Sequence, residues 1–195
     1  HTNITARKQA EQTIHQLAYY DVLTALPNRR LLRDRLTQAL AQIKRSGSCG
    51  ALMFLDLDNF KPINDSYGHA VGDLLLVEVA QRLSRCVREV DTVARFGGDE
   101  FVIMLGGLAL EPASAKAQTL AVAEKAQTLL AEPYLLQAAN AAGGSVRHVC
   151  SASIGVVLLD SASASPAAVL EHGDAAMYQA KQDGRNRIRF YQPPT

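Results

Sequence analysis

Two periodicities alternate along this chain of 195 residues. Residues 5 to 19 set Ile14, Leu17 and Ala18 at helical spacing among polar positions, which predicts a short helix. A second helix is predicted after Asn28, a residue able to cap it. Leu32, Leu36, Ala39, Leu40 and Ile43 fall on one stripe there, and Ser46 and Gly47 end it. Residues 51 to 57 form an apolar run that reads as a buried strand, and 58 to 70 as a polar loop. The helical period returns over 71 to 90 through Leu75, Val79, Leu83 and Val87. Residues 92 to 96 and 101 to 105 are β-type runs rich in Val, Phe and Ile. They flank Gly97-Gly98, a two-residue connection able to adopt the positive φ angles of a tight hairpin turn. Further on, the pattern predicts a helix over 114 to 130, a Gly-rich loop over 140 to 145 and an alternating strand over 149 to 158. A helix pair over 166 to 182 broken at Gly173 and a terminal strand over 187 to 191 complete it. The mixture, with one clear antiparallel hairpin, predicts an α+β fold whose helices cover a mostly antiparallel sheet.

The chemistry gathers where apolar runs end in acids. The buried strand carries Asp56 and then Asp58 at its C-terminal end, and the hairpin carries Asp99 and Glu100 directly after its glycines. Apolar strands rarely tolerate a carboxylate without a partner. One reading has these acids simply solvated where the strands leave the core. The other has them share a divalent cation, since hard oxygen ligands suit Mg²⁺ and a phosphate substrate completes its coordination.

The ordered motifs favour the second reading. The run 21 to 30 reads DVLTALPNRR, 54 to 61 reads FLDLDNFK, 63 to 73 reads INDSYGHAVGD and 95 to 101 reads RFGGDEF. Ser153-Ile154-Gly155 and 175 to 186, AAMYQAKQDGRN, follow. Together they resemble the GGDEF family of diguanylate cyclases over about 20 to 191. The resemblance implies a ferredoxin-like nucleotide-cyclase palm, and an enzyme that joins two GTP molecules into cyclic di-GMP. It implies Asp56, the Leu57 carbonyl and Asp99 as ligands of Mg²⁺, with Mn²⁺ able to substitute, and Glu100 as a further ligand or the proton acceptor. Which acid takes the proton stays open. Asn59, Phe60 and Lys61, directly after the metal strand, would grip β- and γ-phosphates through backbone N–H groups and an ammonium. Lys181 and Arg185, on either side of Gly184, suit a triphosphate tail; the alternative is a basic helix end complementing its dipole.

Asn64 and Asp73 would read guanine, the carboxylate accepting from N1–H and N2–H₂. The competing roles are a turn residue and a helix cap. Arg88 and Asp91 match the family's inhibitory Arg-x-x-Asp site, which would take the product; the alternative is a helix-end ion pair. Catalysis would need a homodimer, because each domain presents one GTP. A second functional class is a non-catalytic module that binds GTP or cyclic di-GMP for a neighbouring domain.

Composition narrows the partners. Formal net charge is +1, without blocks of like charge, which argues against a nucleic-acid platform. Cys49, Cys86 and Cys150 are odd in number and lack metal-type spacing, so reduced thiols in a cytoplasmic setting are expected. No apolar run approaches the roughly 20 residues of a membrane span, so no membrane contact is expected of this segment, although a parent protein could be anchored. Residues 1–19 resemble the signalling helix that leaves a PAS sensor domain, 20–191 the cyclase domain, and 192–195 a tail or junction toward a downstream EAL domain.

Overall fold

Every residue from 49 to 57 is buried because this strand lies at the centre of a five-stranded sheet. The computed structural model describes residues 2–194. The helices are α1 (Thr2–Tyr19), α2 (Arg29–Ser46), α3 (Phe60–Tyr67), α4 (His69–Ser84), α5 (Pro112–Ala131) and α6 (Pro166–Gln182). The strands are β1 (Cys49–Leu57), β2 (Thr92–Gly97), β3 (Glu100–Leu108), β4 (Tyr134–Gln137), β5 (Ser145–His148), β6 (Ala152–Leu159) and β7 (Ile188–Phe190). The main sheet runs β2-β3-β1-β6-β7, antiparallel except for the β6–β7 pair, and β4 with β5 makes a separate small hairpin.

Successive side chains of β1 point to opposite faces of the sheet. Ala51, Met53, Leu55 and Leu57 enter the core shared with α4 and α5, through Leu75, Val79, Leu83, Ala123, Ala126 and Leu130. Leu52 and Phe54 enter the other core, beneath Leu32, Leu36, Leu40 and Ile43 of α2 and Val169 and Met177 of α6. Asn28 caps α2 as expected, its side chain accepting from the Leu31 N–H at 3.1 Å. Gly47, at φ 71°, closes the other end with its N–H on Ile43 O.

Several expectations are corrected. The segment 58 to 70 is not a loop: Phe60, Ile63 and Tyr67 lie at helical spacing and pack on the core, which is enough to fold α3 in an otherwise polar stretch. Helix α4 stops at Ser84, six residues before the periodicity suggested, because the chain turns back through i→i−3 bonds at Arg85 and Cys86. Strands β4 and β5 flank the Gly-rich loop, whereas the sequence pattern predicts the loop alone. The hairpin turn is Gly98-Asp99, with Gly97 still paired to Glu100 after a register shift.

Helix α6 is continuous through Gly173, which is a packing residue. A Cβ there would meet the Phe54 ring, and a Cβ on Gly155 of β6 would meet the backbone of Ala176 and Met177. These two glycines let α6 lie directly on the sheet.

Candidate active site at the end of the central strand

Three carboxylates converge where β1 leaves the core. Asp56 is directly opposite Glu100 in the β1–β3 register, and the Leu57 N–H donates to the carbonyl of Asp99 in the turn. Like charges facing each other across strands are destabilising. Asp56 is 8% exposed, and its Oδ1 has no hydrogen-bond partner among the described residues. Its Oδ2 accepts from Lys181 Nζ, which the last turn of α6 brings across.

The crowding is visible in acidity. Burial, then contact with Asp56, pushes Asp99 up to about 7. Burial raises Glu100 as well, followed by the charges of Asp174 and Asp56, against the lowering effects of Arg29 and Lys181. A carboxyl held above its unfolded value keeps its proton in the folded chain between about pH 4 and about pH 7. Its contribution to stability is full at the acid end and lost as pH rises through the folded value. The domain without divalent cations should therefore melt at progressively lower temperature across that window, and Asp99→Asn should flatten the slope. A melting temperature that rises across the window in the parent, or an unchanged slope in the variant, would contradict the assignment.

The residues fit a small divalent cation. Asp56, Asp99 and Glu100 present hard anionic oxygens, one of them buried and unpartnered, in a cluster whose repulsion a cation relieves. Among the described residues no three His, Cys, Asp or Glu side chains are already placed to hold a metal ion together, and the Lys181 ammonium supplies the positive charge at Asp56. The Leu57 carbonyl belongs to the last residue of β1. Asp58, grouped with Asp56 in the sequence, does not join the cluster. It is committed to Ser151, Ser153 and the Asn186 N–H.

Around this centre stand the other candidates. Asn59, at φ 62°, begins α3, so that Phe60 and exposed Lys61 occupy its first turn beside the end of β1. Asn64 is inside α3 rather than in a turn. Its Oδ1 is buried, has no hydrogen-bond partner among the described residues and is aimed at Gly72, in the first turn of α4. Asp73 is exposed in α4, past the cap position that Gly68 holds. Arg185 is exposed in the loop after α6. Arg88 and Asp91 pair with each other at 3.2 Å, at the turn before β2. The Asp91 carboxylate also accepts the N–H groups of Arg88 and Gly106 and its side chain is 2% exposed, whereas that of Arg88 is 56% exposed.

The cysteines stay outside this chemistry: all three are buried and free, and burial pushes Cys150 up to about 11.

A family profile described as "Diguanylate cyclase, GGDEF domain" matches residues 18–187. The chain belongs to the GGDEF domain family. The mostly antiparallel palm is shared with solved GGDEF structures. One, comprising only the GGDEF domain of TpbB from Pseudomonas aeruginosa, superposes with a TM-score of 0.79 at 37% identity over 89% of this chain and 95% of that one. Another, the coiled coil and GGDEF domain of DgcB from Caulobacter crescentus in complex with c-di-GMP, gives 0.81 at 28% identity over 97% and 94%. Among curated relatives, the bifunctional diguanylate cyclase/cyclic di-GMP phosphodiesterase MucR of Pseudomonas aeruginosa is 44% identical over 96% of this chain. The GGDEF domain described here spans 26% of that relative's length.

Sequence reasoning passed over several residues that build the site of this GGDEF domain. Arg95 donates to both carboxylate oxygens of Asp21, at 3.0 and 3.2 Å, and to the carbonyl of Gly98, so the start of the domain is tied to the hairpin turn. Both stand in quoted motifs, and an Arg beside a Gly-Gly turn is a signal for such a brace. Arg29 lies over the Phe96 ring at 4.7 Å. Asp174 precedes Lys181 by two helical turns, a spacing that puts both on one face.

Proposed function

We propose that this GGDEF domain condenses two GTP molecules into cyclic di-GMP and two pyrophosphates as a homodimer, each copy holding one nucleotide. The observation that carries the reading is the convergence of Asp56, Asp99 and Glu100 from two strands and a turn, beside Lys181. The 3′-oxygen of one GTP forms a bond to the α-phosphorus of the other, the bond to the β-phosphate oxygen breaks, and a hairpin carboxylate takes the hydroxyl proton. A bound Mg²⁺ or Mn²⁺ would offset charge growing on the phosphate and acidify that hydroxyl. Asp56, Asp99, Glu100 and the Leu57 carbonyl would hold it. Lys181 turns from Asp56 to the triphosphate, where Arg185, Lys61 and the N–H groups of Asn59 and Phe60 complete the grip. Asn64 and Asp73, on adjoining turns of α3 and α4, read the guanine edge, with the buried Asn64 Oδ1 left for the base.

A two-copy site has a kinetic signature. The rate of pyrophosphate release per domain should climb with protein concentration in GTP and Mg²⁺. A rate per domain independent of concentration down to high dilution would contradict it.

Product feedback through Arg88 belongs to the same reading. Asp91 is buried in its turn, so it is the exposed guanidinium of Arg88, on leaving Asp91 and the Gly106 carbonyl, that makes the new contacts with guanine or phosphate. Arg88→Ala should leave the initial rate intact and weaken cyclic di-GMP binding roughly tenfold or more, as for loss of one charge-assisted pair. Unchanged affinity would remove the residue from that role.

A second reading, a non-catalytic module that binds GTP or cyclic di-GMP inside a longer sensor or tandem protein, is favoured by a relative named as a cyclic di-GMP phosphodiesterase, PdeR of Escherichia coli, 31% identical over 98% of this chain, which spans 27% of that relative's length. In either case α1, with Ile4, Ile14 and Leu17 exposed, would connect to an upstream PAS-type sensor, and the residues after β7 would be a tail or a junction toward an EAL domain. No helix among the described residues is long and apolar enough to cross a membrane.

A further inference from the structure

Asp58 is 3% exposed, yet it is no part of the carboxylate cluster two residues before it. A buried carboxylate needs its hydrogen-bonding capacity filled. Here Ser151 Oγ donates at 2.6 Å, Ser153 Oγ at 2.7 Å and the backbone N–H of Asn186 at 3.1 Å. Both serines belong to the approach and start of β6. The third donor comes from the loop after α6, which carries Arg185.

That loop has a left-handed backbone. Gly184, Arg185 and Asn186 all have positive φ, at 118°, 62° and 48°, and the last two carry side chains. Left-handed conformations are costly for a residue with a Cβ such as Arg185, less so for Asn, and persist where the surroundings support them. Two contacts reach Asn186 from outside the loop: the Asp58 carboxylate on its N–H, and Gln127 Nε2, which donates to its side chain at 3.2 Å. The Arg185 N–H is bound back to Ala180 O on α6, so the strained loop and the helix end that bears Lys181 move together.

We infer that Asp58 is a positioning residue for the triphosphate: from the end of β1 it locks the left-handed loop that presents Arg185 and steadies Lys181. The strand that supplies Asp56 to the reacting phosphate thereby also anchors the clamp on the distal phosphates. The inference rests on the reading of Lys181 and Arg185 as triphosphate ligands.

Calorimetric binding of α,β-methylene GTP and of GMP, each with Mg²⁺, tests it. Asp58→Ala should weaken the triphosphate analogue roughly tenfold, as for loss of one charge-assisted contact, and leave GMP unchanged. Asp58→Asn should restore most of the affinity, because its amide oxygen can serve Asn186 while its NH₂ donates to a serine. Combined with Arg185→Ala, Asp58→Ala should add little beyond the single Arg185→Ala variant. Amide exchange at residues 185 to 187 should accelerate in Asp58→Ala. Equal weakening of both ligands, full additivity with Arg185→Ala, or unchanged affinity would overturn the role. Should Asp58→Ala fail to fold, Gln127→Ala frees the same loop from its exposed side and carries the same expectation. A parent domain that binds GMP as tightly as the analogue would overturn the triphosphate reading itself, and the inference with it.

Discussion

Asp56→Asn should reduce cyclic di-GMP formation by roughly 10²–10³-fold or more, the scale of losing a group aimed at developing charge, while the domain stays folded. The side chain keeps its shape and loses its charge. In the parent, Asp56 faces Glu100 across the strands and leaves Oδ1 buried without a partner, a local arrangement that opposes stability. Removing the charge relieves that repulsion and takes the ion pair from Lys181, so the net change in stability should be small. The variant has a second signature. After burial, the causes that raise Asp99 both come from Asp56, so the Asp99 carboxyl, at about 7 in the parent, should titrate lower in the variant. Carboxyl chemical shifts followed through a pH titration read this directly. An Asp99 that titrates as in the parent would show that the two acids are not coupled.

Gly155→Ala should be the most damaging conservative substitution in the sheet, at about 3 kcal/mol or more, the upper range of overpacking. Gly155 is paired with Phe54 on one side and Arg189 on the other, and its open face lies against α6. The atoms a Cβ would meet are Met177 N, Ala176 C and Gly173 O, all backbone. No rotamer change relieves that contact, so α6 must lift from the sheet. Lys181, in its last turn, lifts with it, and activity should fall together with stability. The atoms nearest a Cβ on Gly173 belong to the Phe54 side chain rather than to backbone, so Gly173→Ala should cost less. Chemical denaturation of the two variants compares them, and a Gly155→Ala midpoint equal to that of the parent would contradict this account of the packing.

What the sequence disclosed follows from how local each signal was. The stripe of α2, the buried run of β1 and the glycine hairpin are local, and all three formed. Helix α3 was hidden because three core-facing side chains are few against a polar background, and Gly173 read as a breaker because its partner, Phe54, is more than a hundred residues away. The acids were legible as a set, but their division of labour was not. Asp56 and Asp58 look equivalent in a linear pattern, whereas one is left crowded with Asp99 and Glu100 and the other is saturated by two hydroxyls and an amide. The brace from Arg95 to Asp21 likewise spans positions no short motif connects.

The central claim is that this carboxylate cluster condenses GTP. Its most direct test is chromatographic separation of nucleotides after incubating the concentrated domain with GTP and Mg²⁺, with Asp56→Asn in parallel. The account predicts cyclic di-GMP from the parent and essentially none from the variant. Equal product from both would contradict the assignment of the site, and GTP recovered unchanged from a parent that still binds it would contradict catalysis and leave the binding module in its place.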